Sequence, residues 1–285
     1  MSPPEAHDDA RIYDQGYRPF EGQLASPRSR FLVIAMNELR LAWKEKWFKR
    51  LLWVSFFPLA VFAVLVVIQA RFSMLLNKDD LADIWKSFWG IQMFFSMLMV
   101  YFVGRRAIGE DLRTGALTVY FSRPVSFMQY ITGKWLAIAV AVIGVTLMPG
   151  LVLAIFRWLA EPATDLAAFA GWAGSLVLLS ALLCLTMGWA MLAVSSLTQR
   201  GRAAGIVWVI IFFVSAGVAE GVAQATGIQA FNALSFAKAN GQLAEFLLDG
   251  EGSWLQALWM FLGQLAWVVV AAGVVLIRLR RWMRA

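Results

Sequence analysis

Ionisable and metal-binding side chains are scarce in this sequence. Only 15% of its 285 residues are charged, and it contains one histidine and one cysteine. His7 lies in a polar N-terminal segment, and Cys184 lies in an apolar run. A single cysteine cannot form a disulfide within the chain, so we expect Cys184 to be a small core residue. A single histidine, placed outside the apolar runs, disfavours a Ser/His membrane enzyme and a histidine-based metal site, and we predict no metal site.

Two further motifs are missing. No GxxxxGK[ST] phosphate-binding loop occurs, so we expect the chain not to bind ATP in that way. The first nine residues have neither the basic start nor the apolar core of a signal peptide. We therefore expect the N-terminus to stay in the cytoplasm.

Long apolar runs dominate what is present. Hydrophobic residues make up 60% of the chain and its mean hydropathy is +0.67, whereas soluble domains are about 45–50% apolar. Fourteen Trp and 21 Phe residues are typical of interfacial aromatic belts. Segments long enough to cross a ~30 Å hydrocarbon core predict an all-α integral membrane protein with six transmembrane helices in a domain of residues 51–285. These spans are about 51–70, 85–103, 135–156, 171–197, 203–225 and 254–277.

An amphipathic helix is predicted before the first span. Residues 1–28 form a polar tail, but over residues 29–50 apolar side chains recur at helical spacing and include Trp43 and Trp47. Lys and Arg fill much of the other surface, which is typical of a helix lying in the membrane interface. A calmodulin-target or nucleic-acid-binding helix would have a similar pattern, but the span that follows favours the interface.

The positions of the basic residues predict the orientation. Six spans place both termini on one side. Of the 25 Lys and Arg residues, five fall on the other side, namely Arg71, Lys78, Lys86, Arg157 and Lys238. The positive-inside rule then predicts that both termini are cytoplasmic. The basic residues are accordingly expected to contact membrane lipid rather than nucleic acid.

Polar residues within or beside the later spans are few. Glu220 lies near the outer end of the fifth span, and Gln224 follows one turn later. This pair could contact a substrate, or could mark the membrane surface or a helix break near Gly217 and Gly221. The stretch of residues 226–253 contains amphipathic pieces too short to span, which predicts a re-entrant or interfacial helical stretch on the outer side before the last helix.

One sizeable polar loop, residues 104–134, separates the second and third spans. It contains Glu110-Asp111-Leu112-Arg113-Thr114-Gly115-Ala116-Leu117, then Ser122-Arg123-Pro124-Val125-Ser126, then Gly133-Lys134. This order of elements resembles the first cytoplasmic loop of bacterial type-two ABC transporter permeases. The preceding interface helix and the broken outer stretch are similar too, so the resemblance covers nearly the whole chain.

The resemblance implies a permease subunit of an ATP-driven ABC transporter, an exporter, in the bacterial cytoplasmic (inner) membrane. It implies two partners: a second permease copy or a paralogue, and a separate ATP-binding cassette ATPase, which would bind ATP and Mg²⁺ and carry the catalysis. The 104–134 loop would be the coupling helix that contacts the ATPase.

The ATPase-coupling residues implied by this resemblance are Glu110, Asp111, Leu112, Arg113, Thr114, Gly115, Leu117, Arg123 and Pro124. Glu110 and Asp111 would lie near the N-terminus of the coupling helix, where acids are favourable. Arg113 and Arg123 would pair with acids of the partner, and Leu112 and Leu117 would fill a pocket there. A membrane scaffold or assembly factor without transport of its own is the alternative, because it could have the same topology.

Overall fold

The computed structural model describes residues 29–72, 84–122, 125–160 and 165–284, and within these ranges every regular element is helical. Two of the predicted ATPase-coupling residues, Arg123 and Pro124, lie outside the described ranges. The helices are α1 (Arg30–Lys44), α2 (Lys46–Ser55), α3 (Phe57–Phe72), α4 (Ile84–Gly104), α5 (Gly109–Thr114), α6 (Ala116–Phe121), α7 (Phe127–Ala160), α8 (Leu166–Leu197), α9 (Gly201–Thr226), α10 (Phe236–Ala244) and α11 (Trp254–Arg284).

Among the described residues, six helical segments are long and apolar enough to cross a membrane, as predicted. They are Lys46–Gln69, Ile84–Thr114, Phe127–Ala160, Leu166–Leu197, Gly201–Thr226 and Trp254–Trp282. The third and fourth membrane-spanning helices, α7 and α8, are longer than the spans predicted for them. The additional turns at the start of α7 carry polar residues of the candidate site.

The first span consists of two helices because of a local break. Pro58 has no N–H to donate, and its ring clashes with the carbonyl one turn earlier, so the helix is interrupted at Phe56 and begins again at Phe57. A second break lies at Glu45, whose extended backbone (φ −77°, ψ 122°) separates α1 from α2. The helical path from α1 to α3 is thus interrupted twice, at Glu45 and at Phe56.

The core of the bundle is centred on α8. Of its most apolar stretch, 72% is buried inside the protein, against 22% for the first, fifth and sixth spans. Helix α8 packs against α7, α11 and α4. The less buried helices expose aliphatic and aromatic residues such as Val64, Ile210 and Val269, which is the surface that lipid covers in a membrane.

The helical stretch between α9 and α11 consists of a 3-10 helix (Gln229–Leu234), α10, and a π-helical turn (Glu245–Asp249). A buried amide joins it to the bundle. Asn240 accepts a hydrogen bond from Trp89 Nε1 (2.8 Å) and donates to the Leu179 carbonyl (3.3 Å) and to Gln264 Oε1 (3.2 Å). Helix α10 lies beside the beginning of α4, whereas α5 follows the end of α4. We therefore call the two ends of the bundle the α10 end and the α5–α6 end.

Candidate functional site

The polar loop folds as two short helices joined by one tight turn. Helix α5 ends at Thr114, and Gly115 adopts a left-handed conformation (φ 70°, ψ 12°) before α6 begins. A side chain is strained in that conformation, whereas glycine is not. Thr114 Oγ1 donates to the Glu110 carbonyl (2.9 Å), and Thr118 Oγ1 donates to the Gly115 carbonyl (2.6 Å). The turn chemistry therefore gives the loop a defined shape.

The beginning of α5 is fixed to the end of α8. The backbone N–H groups of Ile108 and Gly109 both donate to the Ser195 hydroxyl oxygen, at 3.0 and 3.2 Å. These groups have no partner within their own helix, so a buried hydroxyl on another helix satisfies them. Gly109 lies so close to the α8 backbone that a Cβ would collide with the carbonyl oxygens of Ser195 and Thr198.

A buried ionic cluster joins three elements beneath the loop. Lys134 Nζ of α7 lies 2.6 Å from Glu38 Oε1 of α1 and 2.7 Å from Asp111 Oδ2 of α5. The Tyr130 hydroxyl donates to the same Asp111 oxygen at 2.8 Å. The Lys134 side chain is only 2% exposed. A buried ammonium is stable only when it is paired, so Lys134 holds α1, α5 and α7 together.

Tyr120 of α6 extends this cluster. Its ring packs against Tyr130 with centroids 5.4 Å apart. Burial raises the pKa of the Tyr120 hydroxyl above its ordinary value; Lys134 opposes this effect, while Asp111 and Glu38 add to it. The phenol therefore remains neutral at physiological pH and places no additional charge beside the carboxylates.

A second ion pair joins the α1–α2 joint to the end of α4. One Arg105 guanidinium nitrogen lies 2.7 and 2.8 Å from the two carboxylate oxygens of Glu45. Arg106 approaches the same carboxylate at 3.6 Å. Glu45 is the extended residue between α1 and α2, so the joint and the loop entry are directly linked.

The outer surface of the two short helices is polar and exposed. Glu110 pairs with Arg113 one turn later, and the Arg113 side chain is 52% exposed. Thr114 and Thr118 are also exposed. Arg200 and Arg202 flank Gly201 at the start of α9, where Gly201 lies against Arg106. This end of the protein presents polar and charged side chains on its outer surface.

The structure divides the sequence-predicted residues into two groups. Glu110, Arg113 and Thr114 face outward, whereas Asp111 belongs to the buried cluster, Leu117 is fully buried, and Leu112 packs against the core. The prediction that Leu117 fills a partner's pocket therefore does not fit its position: it fills the protein's own core, because α6 needs an apolar anchor there.

Glu220 and Gln224 lie at the opposite end of the bundle, so the structure does not bring them together with the loop. Gln224 Nε2 donates to Glu220 Oε1 at 3.4 Å, and Lys238 Nζ lies 2.7 Å from Glu220 Oε2. Helix α9 runs without interruption from Gly201 to Thr226. These residues consequently do not mark a helix break, and both line a cleft.

Sequence reasoning missed the residues that hold the loop in place: Glu38, Glu45, Arg105, Ser195 and the full role of Lys134. One signal was available, because Glu38 occupies an apolar-face position of α1 between Ala35 and Ala42. A lone acid on a buried helix face requires a cationic partner. No comparable signal marks Ser195, whose hydroxyl resembles many others in the spans.

One comparison with known proteins identifies the family. A protein-family model described as ABC-2 family transporter protein matches residues 32–281. The chain belongs to the ABC-2 family of transporter proteins. No curated protein matches this permease significantly.

The family membership confirms the resemblance to type-two ABC transporter permeases. This permease is a multi-pass membrane protein, and its family consists of membrane subunits that are generally non-catalytic. The family implies an ABC ATPase partner, generally with a second permease copy. In the described part of the permease, no group of three or more His, Cys, Asp or Glu residues could hold a metal ion.

Proposed function

We propose that the chain is the permease subunit of an ATP-driven exporter in the bacterial cytoplasmic membrane. Its α5–α6 end faces the cytoplasm together with both termini, and α1 lies in the membrane interface. A separate cassette ATPase binds ATP and Mg²⁺ and docks on the α5–α6 loop. A second copy of the permease, or a paralogue, completes the transporter.

The observation that carries this proposal is the bracing of an exposed loop by buried contacts. A docking element transmits force only if it cannot yield independently of the membrane helices. Here Asp111 attaches α5 to Lys134 of α7, and Gly109 attaches it to Ser195 of α8. Lys134 in turn holds Glu38 of α1. A push on the outer surface of α5–α6 would therefore move α1, α7 and α8 as one unit.

The roles of the predicted residues follow from their positions. Glu110, Arg113 and Thr114 bind the ATPase, since Arg113 and Thr114 are exposed and Glu110 is partly exposed beside them. Asp111, Leu112 and Leu117 position the loop from within, and Gly115 permits the turn between α5 and α6. Arg123 and Pro124 remain docking candidates on the strength of the sequence resemblance. The export direction rests on that resemblance as well.

A charge reversal tests the docking role. In Glu110→Lys, the exposed acid and its pairing with Arg113 are lost, so two cations face the partner. We expect the variant to insert and fold normally but to lose most of the cassette ATPase that co-purifies from detergent-extracted membranes, together with the ATPase activity of the complex. The measurement is quantitative mass spectrometry of the purified complex and its ATP hydrolysis rate.

Glu251→Lys is the matched control, because Glu251 is equally an exposed acid but lies at the α10 end. The control should retain wild-type amounts of the ATPase. If Glu110→Lys retains the ATPase and its full activity as well, the loop is not the docking element. If the wild-type protein never co-purifies with a cassette ATPase, the scaffold alternative replaces the transporter.

A further inference from the structure

A cleft with charged and apolar halves opens at the α10 end, remote from the loop. It has a volume of about 540 Å³ and lies between α4, α9 and α10. Its charged residues are Lys86 on α4, Glu220 on α9, Lys238 on α10 and Glu245 on the π-helical turn. Its apolar residues include Phe94, Phe212 and Phe213. The lining therefore combines two kinds of surface within one cavity.

The charges of the cleft balance. Lys86 Nζ lies 3.1 Å from Glu245 Oε1, and Lys238 Nζ lies 2.7 Å from Glu220 Oε2. All four side chains are between 28% and 50% exposed, so they remain accessible to a ligand. Two cations and two anions give no net charge, which means that a ligand of one sign gains no net attraction. A ligand that carries both signs can be matched at both of its ends.

One buried acceptor beside the cleft has no hydrogen-bond partner among the described residues. Asn232 is 5% exposed, and its amide nitrogen donates to Gln229 Oε1 at 2.9 Å. Its Oδ1 atom is buried and accepts no hydrogen bond within the described part of the chain. Leaving a buried polar atom unsatisfied is costly, and both Asn232 and Gln229 line the cleft. A rotation of the Asn232 side chain toward the cleft would let a bound donor group, such as an ammonium, satisfy this oxygen.

The charged and apolar halves of the cleft lie in the same order as the headgroup and hydrocarbon of an amphiphile in a membrane. Lys86 is in the first turn of α4, and Phe94 follows two turns later on the same face. At 1.5 Å per residue, the aromatic wall lies roughly 10 Å deeper than the charged rim. On α9, Phe212 and Phe213 likewise lie about two turns deeper than Glu220. A headgroup fits the rim while its hydrocarbon portion lies along the aromatic residues.

We propose that this cleft binds an amphiphile whose headgroup is zwitterionic, with an ammonium and a phosphate or carboxylate. Glu220, Glu245 and Asn232 hold the cationic part, and Lys86 and Lys238 hold the anionic part. The assignment deepens the proposed transport function, since it names the chemical class of cargo, and to that extent rests on it. Binding itself needs no ATPase and is tested on the permease alone.

Space for a blocking variant exists at Gly90. This residue lines the cleft on α4 between Lys86 and Phe94, and a Cβ built there meets nothing within 4 Å. The first side-chain atom is thus accommodated, and Gly90→Phe should place a ring in the cleft. Gly144 on α7 is also open within 4 Å but does not line the cleft. Gly144→Phe is consequently a matched control for added bulk on a membrane helix.

The experiment is native mass spectrometry of the detergent-purified permease after addition of three diacyl lipids in equal amounts with identical chains. They are phosphatidylethanolamine, which is zwitterionic, phosphatidylglycerol, which is anionic, and an uncharged glucosyl diacylglycerol. We expect the wild type and Gly144→Phe to retain phosphatidylethanolamine preferentially. Gly90→Phe should reduce this retention by about tenfold or more, because the added ring occupies the space that the amphiphile needs.

A second variant tests the charge argument. Glu220→Gln/Glu245→Gln leaves the shape of the cleft but gives it a net positive charge, so the preference should change to phosphatidylglycerol. The proposal is overturned if either other lipid is preferred by the wild type, if Gly90→Phe folds and binds as the wild type does, or if the double variant keeps the original preference. If Gly90→Phe does not fold, the double variant decides. Failure here, with ATPase docking intact, would refute the ligand assignment alone.

Discussion

Single residues in this permease have different energetic roles even when they carry the same charge. Glu110 and Asp111 are adjacent in sequence, but Glu110 forms an exposed pair with Arg113, while Asp111 is bonded to the buried Lys134. Exposed ion pairs contribute about 0–1 kcal/mol, whereas removing one partner of a buried pair costs about 3–5 kcal/mol. Reversing the charge at Glu110 therefore tests docking, and reversing it at Asp111 tests folding.

Lys134→Met should destabilise the protein by about 3–5 kcal/mol, because it leaves the carboxylates of Glu38 and Asp111 without their buried cation. Neutralising all three residues in Glu38→Gln/Asp111→Asn/Lys134→Met should recover much of this loss. Thermal unfolding of the detergent-purified variants measures both effects. Arg113→Met is the exposed control and should cost at most about 1 kcal/mol. Equal effects of Lys134→Met and Arg113→Met would contradict the buried cluster.

Ser195→Ala should loosen the loop locally. The backbone N–H groups of Ile108 and Gly109 then lose their acceptor, and unsatisfied buried groups cost about 1–3 kcal/mol. We expect faster proteolytic cleavage between residues 105 and 122, observed by limited proteolysis and peptide mapping.

Ser196→Ala is the matched control for this variant. Ser196 is also buried, but its hydroxyl donates only to the Ala193 carbonyl of its own helix, at 2.7 Å. Its removal leaves no partner on another helix unsatisfied. If both alanine variants are cleaved at the same rate as the wild type, Ser195 does not hold the loop.

At the scale of elements, the important contact is that of α1 with α7. Gly133 lies against the Phe31 carbonyl and the Ile34 side chain, where a Cβ would approach to 2.7 and 2.8 Å. This close approach lets Glu38, one turn beyond Ile34 on α1, reach Lys134, which follows Gly133 on α7. The α1 helix thus acts as a brace on the start of α7, and the glycine sets the distance between them.

Gly133→Leu should push α1 away from α7 and separate Glu38 from Lys134. We expect a clear decrease in the thermal unfolding temperature and a loss of ATPase stimulation in the reconstituted complex. Gly144→Leu, on the same helix but with open space around it, should behave as the wild type. Unchanged stability and coupling in Gly133→Leu would show that the spacing of α1 and α7 has no role in transmission.

At the scale of the whole molecule, the two ends of the bundle have different chemistry. The α5–α6 end has a loop braced by buried ions, and the α10 end has a cleft with balanced charges. The helices α4 and α9 extend from one end to the other. In the proposed transporter, a movement of the loop would reach the cleft along these helices.

Cysteine labelling tests the proposed orientation. The lone Cys184 is buried, so a Cys184→Ser background can carry one new cysteine at a time. Glu251→Cys, at the α10 end, should react with a membrane-impermeant maleimide in intact cells. Arg202→Cys, at the α5–α6 end, should react only after the membrane is permeabilised. The opposite pattern would reverse the proposed topology.

Sequence alone was sufficient for the helical class, the six spans and the family. A hydrocarbon core requires about twenty apolar residues per crossing, and such runs can be read directly from composition. The loop signature around Glu110 and Gly115 could likewise be read locally. The sequence does not show which residues of that loop face the protein interior. Asp111 and Leu117 differ from their neighbours only through contacts with residues that are distant in the chain.

The tertiary structure decided which polar groups act together. Glu38, Asp111 and Lys134 come from three helices, and only their packing places two carboxylates on one ammonium. The same holds for the cleft, where Lys86 meets Glu245 and Glu220 meets Lys238. The physical reason is that local sequence determines whether a segment is helical and apolar, whereas the face that each helix buries depends on neighbours that are distant in sequence.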